Sequence, residues 1–369
     1  MNQFTERHSG HRLLWKGVAA MGAAAFVLTG CSNESTVDAS ESPAASGDEE
    51  IGVALILKTT TNPFFVAMQE GAEEAAAAEG ATLTVAAGRE DGDEDTQIQA
   101  IENSIARGDA GILITPSGQA VEDALMKARE AGLYVIALDT PPSTEDAVDI
   151  TFATDNFLAG QLIGEWTATA LDGEDAVIGM LDLFDDKIVS VDYARDQGFL
   201  TGMGIDVADP QVNGDEAATG SYTGGSYTIV GNEATQGAED GGRTAMELLL
   251  AQNPDINVVY TINEPAAYGA KAALDAAGKS DVLLVSVDGG CAGVDGVESG
   301  VIGATSQQYP LKMAELGVAA ITELVRTGTT PEVSEGLDFF NTGVALVTDN
   351  PVDGLESIDT ATGSEICWG

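Results

Sequence analysis

The chain has 369 residues, with 60 acidic side chains against 15 basic ones and a formal net charge of −45. A field of that sign repels phosphate backbones, which excludes nucleic acid as a partner and disfavours phosphorylated substrates. The only histidines, His8 and His11, lie near the start, and no short acidic calcium-loop pattern occurs, so neither a metal nor a cofactor is expected.

In chain order, Arg7, Arg12 and Lys16 come first, followed by an apolar run over 18–28 that is shorter than the roughly 20 residues a membrane span needs. Leu28-Thr-Gly-Cys31 follows, and the whole resembles a bacterial lipoprotein signal peptide over 1–30, cut before Cys31, which then carries lipid. An ordinary signal peptide with an incidental cysteine is the alternative. Residues 31–50, rich in Ser, Glu, Asp and Ala without apolar periodicity, read as a flexible acidic tether. The protein is thus expected outside the cytoplasm, anchored to the outer face of the cell membrane and not spanning it.

From residue 51 short β-branched runs alternate with amphipathic, Ala-rich stretches. Strands are predicted at 51–57, 82–86, 111–114 and 134–138. Helices are predicted from the Asn62 N-cap and Pro63 to about 79, then at 95–107 and 119–131. The repeated β-α-β order implies a parallel sheet with helices on both faces. The pattern restarts after 151–153. Helices are predicted at 156–171, 188–204, 235–252, 266–277 and 310–327. Strands are predicted at 176–181, 226–230, 258–261, 282–287, 302–305 and, last, 339–347. Residues 206–225 read as a surface insertion. The fold class is therefore α/β, with two similar doubly wound lobes. With Cys31 lipidated, Cys291 and Cys367 remain to form a disulfide in an oxidising exterior, closing a loop worth about 4 kcal/mol of chain entropy.

Ligands of open α/β sheets bind beyond the carboxyl ends of the strands. Asn62, Phe64 and Phe65 sit there after the first strand, Asp139 after the fourth, and Asn263, Asp288 and Gln308 in the second series, with Arg195 on a helix. Amides, carboxylates and a guanidinium satisfy the donors and acceptors of a neutral polyol, and a phenyl ring covers a sugar's C–H face. Each residue also has a structural reading: Asn62 and Asn263 as helix caps, Asp139 and Asp288 as turn residues, Arg195 as a solvated charge, and both phenylalanines as core.

Several segments in order resemble the type I periplasmic sugar-binding proteins of ABC importers, the ribose/galactose-like class, over essentially all of 51–369. They are Thr61-Asn-Pro-Phe-Phe65, Ala137-Leu-Asp-Thr-Pro141, Phe152-Ala-Thr-Asp-Asn156, Arg195-Asp-Gln-Gly-Phe199, Tyr260-Thr-Ile-Asn-Glu-Pro265, Val285-Ser-Val-Asp-Gly-Gly-Cys291, Gly303-Ala-Thr-Ser-Gln-Gln-Tyr-Pro310 and Cys367-Trp-Gly369. The fructose/mannose/ribose-binding subgroup is the most similar. The resemblance implies two lobes joined by a three-crossover hinge, 51–154 with 309–339 and 155–308 with 340–369. It implies sugar contacts from Asn62, Phe64, Phe65, Asp139, Arg195, Asn263, Asp288 and Gln308, with Thr115 and Asp155 near the site. Thr140 stands where the ribose binders carry Arg, and Asn232 where an aromatic wall is expected, which opens room for a hexose.

The expected function is capture of a monosaccharide, fructose-type before ribose or mannose, and its delivery to the membrane subunits of an ABC permease. The protein is expected to be a monomer and not an enzyme: no Gly-x-Ser-x-Gly elbow or phosphate-binding loop occurs. A receptor serving a membrane kinase or chemoreceptor, or less readily a carbohydrate-active enzyme, shares these features. A repressor does not, because the export signal is present and a basic helix-turn-helix is not.

Overall fold

Strand β1 (Gly52–Leu57) is a run of Val, Leu and Ile buried on both faces, the pattern of a central parallel strand. It belongs to a computed structural model that describes residues 50–369; the expected signal, Cys31 and most of the tether lie outside the described residues. There follow α1 (Pro63–Glu79), β2 (Thr82–Ala87), α2 (Glu94–Arg107), β3 (Gly111–Ile114), α3 (Glu122–Glu130), β4 (Tyr134–Leu138) and β5 (Ile150–Ala153). The second series holds α4 (Asn156–Ala170), β6 (Ala176–Asp182), α5 (Ser190–Met203), β7 (Thr219–Ser221), β8 (Ser226–Ala234), α6 (Glu239–Gln252), β9 (Val258–Thr261) and α7 (Glu264–Ala276). It continues through β10 (Leu283–Asp288), α8 (Cys291–Glu298), β11 (Ala304–Gln307), α9 (Pro310–Thr327), β12 (Phe340–Asn341), β13 (Ala345–Val347) and α10 (Thr360–Ile366).

The strands form two sheets, ordered β12-β5-β4-β3-β1-β2 and β13-β11-β10-β9-β6-β8-β7. Every pairing is parallel except those of β13 and β7, which run antiparallel at the edges of the second sheet. The chain crosses between the sheets three times: after β5, after β11 into α9, which packs on α1, and after β12. Hydrophobic clusters cover both faces of each sheet.

Several features differ from the sequence reading, among them the edge strand β7 inside the stretch read as a surface insertion. The strand expected over 339–347 is two strands in different sheets. Phe340 and Asn341 pair with β5, Gly343 at φ 100° breaks the run, and Ala345–Val347 pair with β11. The last crossing therefore falls after residue 341, not before 340. Helix α6 starts at Glu239 rather than 235, because β8 runs to Ala234 and Gln236 (φ 56°) turns the chain. Helix α5 likewise starts at Ser190, two residues later than expected. The short helices α8 and α10 were not expected; they are too brief to show periodicity. They bring Cys291 and Cys367 together in the expected disulfide, with Cα atoms 4.9 Å apart.

Candidate functional site

The carboxyl ends of strands from both sheets face one cavity of about 330 Å3, counting what opens to solvent at its mouth. It is lined by Asn62, Phe64, Phe65 and Asp139 from the first series and by Arg195, Asn263, Asp288 and Gln308 from the second. These residues, far apart in sequence, are thus brought together.

Asn62 both caps α1 and lines the cavity. Its Oδ1 accepts the Phe64 N–H at 2.9 Å, while its amide NH2 has no partner among the described residues. Asn263 caps α7 in the same way, accepting from the Ala266 N–H at 3.1 Å and donating to the Gly237 carbonyl at 3.0 Å. The structural and the cavity-lining readings of these two residues are therefore compatible. The Phe64 and Phe65 rings stand nearly perpendicular, 5.4 Å apart. Phe64 meets Trp368 edge-on at 5.4 Å, and the Trp368 indole N–H donates to the Gln308 carbonyl at 2.7 Å.

Asp139 and Asp288 occupy matching places after β4 and β10, both with positive φ (64° and 141°). Such conformations are costly for non-glycine residues and persist only where the surroundings hold them. The Asp139 N–H donates to the Phe152 carbonyl, and its Oδ2 accepts the Thr140 hydroxyl at 2.8 Å. The turn after Asp288 is held by buried Glu264, which accepts the Gly289 and Gly290 N–H groups and the Thr305 hydroxyl. Burial and then the Asp288 charge push the Glu264 carboxyl well above the usual range.

Arg195 sits between the two acids. Its Nε donates to Asn156 Oδ1 at 2.8 Å and Nη1 to the Ile262 carbonyl at 3.0 Å. Nη2 reaches Gln308 Oε1 at 3.4 Å and Asp139 Oδ1 at 3.5 Å, contacts long enough to yield to a ligand oxygen. Gln308 Nε2 donates to Asp288 Oδ1 at 2.7 Å. Burial raises the Asp288 pKa to about 6, against the pull of Arg195 and Gln308, with Asp139 adding to the rise. The helix carrying Arg195 lies unusually close to α4: a Cβ on Gly160 would overlap the Arg195 carbonyl oxygen, and one on Gly198 that of Phe157.

Three expected site residues are not in the cavity lining. The Thr115 hydroxyl accepts the Lys58 N–H at 3.0 Å within the wall behind it. Asp155 caps α4 through the Leu158 N–H. The Asn232 amide donates to Asp182 Oδ2 at 2.8 Å and Asp196 Oδ2 at 3.3 Å, in a separate buried cluster. Conversely, Lys58 and Asp91 line the cavity without having been expected there, and Asn156 and Trp368 support it. Lys58 was open to discovery by the rule that selects Asn62, since it directly follows β1.

A cavity between two parallel-sheet lobes, lined from both by groups suited to a polyol, defines a two-lobed ligand-binding protein. The periplasmic binding protein domain family matches residues 53–330, and the chain belongs to that family, in its type I sugar-binding class. The ribose import binding protein of Salmonella typhimurium is 28% identical over 74% of this chain and 84% of its own length. The D-ribose/D-allose-binding protein of Pseudomonas aeruginosa is 28% identical over 88% of this chain and 96% of its own. In fold, the chain is similar to an ABC transporter solute-binding protein of Agrobacterium vitis bound with alpha-D-tagatopyranose. The TM-score is 0.71 at 23% identity, covering 87% of this chain and 100% of that one.

Proposed function

We propose that this protein is a lipid-anchored, extracytoplasmic binding protein that captures a neutral monosaccharide between its lobes and delivers it to an ABC permease. The observation that carries this reading is Arg195, suspended in the cavity between Asp139 of one lobe and Gln308 with Asp288 of the other. Hydrogen bonds to charged groups contribute about 1.5–3 kcal/mol each, so this set supports micromolar affinity, about −8 kcal/mol. The names of relatives at 28% identity, which include ribose, allose and apiose binders, support a sugar as the class of ligand. Thr140 turns its hydroxyl to Asp139, and this small side chain stands where the ribose binders are expected to carry Arg, which supports a fructose-type hexose. The lobes assigned are 51–154 with 309–341 and 155–308 with 342–369, and the lipid is assigned to Cys31.

Calorimetry against fructose, ribose, mannose, galactose and xylose tests the reading. Micromolar binding of one of them, lost in Asp139→Ala, is the expected result; no binding of any overturns it. The mass of the mature N-terminus tests the lipid on Cys31.

A further inference from the structure

Asp139, Arg195, Asp288 and Gln308 are each 4% exposed or less, so a ligand reaches them only when the lobes part. Whatever holds the lobes together is therefore a share of the affinity, whichever sugar binds. In the lobes assigned above, the first carries 23 acidic and seven basic side chains and the second 30 and five. Protonating the buried acids leaves both bodies strongly negative. Like charge opposes their approach, over about 30 Å at 10 mM salt and about 8 Å at physiological ionic strength.

Of the five cations in the second lobe, two reach the first lobe among the described residues. One is Arg195. The other is Lys187, in the loop between β6 and α5, which does not line the cavity. Its Nζ donates to the Gly92 carbonyl at 2.6 Å and stands 3.8 Å from Glu94 Oε2. Glu94 is held in place, its Oε1 accepting the Ala120 N–H at 2.7 Å. Gly92, at φ 87°, lets the ammonium approach; a Cβ there would lie 2.7 Å from Nζ. The other three cations stay within their lobe. Arg243 pairs with Glu247 and Lys271 with Asp275, and Lys279 donates to the Pro254 carbonyl.

The place of this contact gives it leverage. Gly92 follows β2, at the opposite edge of the first sheet from β5 and β12, where two of the crossings leave. At about 4.8 Å per strand, β2 lies about 19 Å from β5, so the contact sits where the lobes part most widely. Beside it, the Ser190 hydroxyl donates to the Pro141 carbonyl at 2.6 Å, an uncharged crossing between the lobes.

We infer that Lys187 is a positioning residue for capture: it clasps the mouth of the cleft shut against the repulsion of two acidic lobes, and affinity for a neutral sugar therefore rises with salt. The sugar in this statement rests on the monosaccharide reading above; the closure does not.

A neutral ligand brings no charge to be screened, so the salt dependence of its binding reports on the lobes. Calorimetry at about pH 7.5, above the Asp288 pKa of about 6, tests the clasp with each sugar that binds. Between about 20 and 500 mM sodium chloride, wild-type affinity should rise about fivefold. Lys187→Gln should bind about tenfold more weakly than wild type in low salt and within about threefold in high salt, and Lys187→Arg should restore the wild-type curve. Ser190→Ala should lose about threefold at every salt concentration. The order of preference among sugars should be the same in all of them. A flat or falling wild-type curve, a Lys187→Gln loss that does not change with salt, or a changed order of sugars would overturn the inference. Small-angle scattering of the sugar-free protein reads closure directly. In low salt Lys187→Glu should have a larger radius of gyration than wild type, and the difference should vanish in high salt; equal radii in low salt would overturn the clasp. If no sugar binds wild-type protein at any salt concentration, the functional reading fails, and the scattering still decides the clasp.

Discussion

Helix α5 carries two buried polar clusters on adjoining faces, and they are neutralised differently. On one side Arg195 supplies a positive charge between Asp139 and Asp288, and Asn156 and the Ile262 carbonyl fix its direction. Beside it Asp182 and Asp196 share the Asn232 amide, and Asp192 accepts the Leu183 and Phe184 N–H groups and the Asn213 amide; no ion pair reaches these acids among the described residues, and Asp182 Oδ1 and the Tyr260 hydroxyl have no partner. Among the described residues no group of three or more acidic, His or Cys side chains is placed to hold a metal ion. Burial favours protonated acids here, where Arg195 supplies a charge next door. Burial pushes Asp182 to about 6 and, with the Asp182 charge beside it, Asp192 to about 8. Burial, and then the charge of Asp182, raise the Asp196 carboxyl well above the usual range. A fixed cation makes a site that works as anions; shared protons make a core that holds only while they stay.

The sharpest way to break this contrast is to remove the cation. Arg195→Met should leave two buried carboxylates uncompensated and weaken sugar binding by about 10³-fold or more in calorimetry. The matching change in the neighbouring cluster, Asn232→Ala, should leave affinity within about threefold, since its amide faces the acids.

Stability and sugar binding should answer pH with opposite signs. The folded pKa of Asp182 and of Asp192 lies above the ordinary carboxylate value. The stability they contribute is complete below about 4 and lost as pH rises through about 6 and 8. Between pH 5 and 8 the unliganded protein should lose on the order of 5 kcal/mol, read as a fall in melting temperature, and Asp192→Asn should flatten the slope. Binding runs the other way. Asp288 must be ionised to accept from the sugar, so affinity should rise through about pH 6 and be about tenfold lower at pH 5 than its plateau, a dependence absent in Asp288→Asn. A smaller effect tests how α5 is held. Gly198→Ala should force α4 and α5 apart, cost about 1–3 kcal/mol in denaturant unfolding and lower affinity less than Arg195→Met does.

Much of the architecture was legible because the central strands β1, β3 and β4 are largely buried apolar runs and several helices begin at a side-chain cap, as at Asn62-Pro63 and Asn263. The cavity residues were legible for the same reason. Cap and turn residues mark where strands end, and strand ends are where an open sheet places its ligand. Asn232 misled because position along a strand is not visible in the sequence. β8 is bulged where Ile178 gives way to Gly179 and continues to Ala234, so Asn232 pairs with Met180 inside the sheet rather than at its end. Lys58 directly follows β1, so the same rule reaches it. Trp368, more than 300 residues from Phe64, joins it only through the folded chain.

Trp368 also gives the protein an optical reporter of its own. Of the three tryptophans, Trp15 falls in the expected signal, and Trp166 is buried with its indole N–H on the Asn350 carbonyl. Only Trp368 stands in the aromatic wall, tethered one residue from the cystine. Changes in emission when sugar enters should come from that single indole, without any added dye. Reducing the cystine should let the ring drift into water and shift its fluorescence to the red.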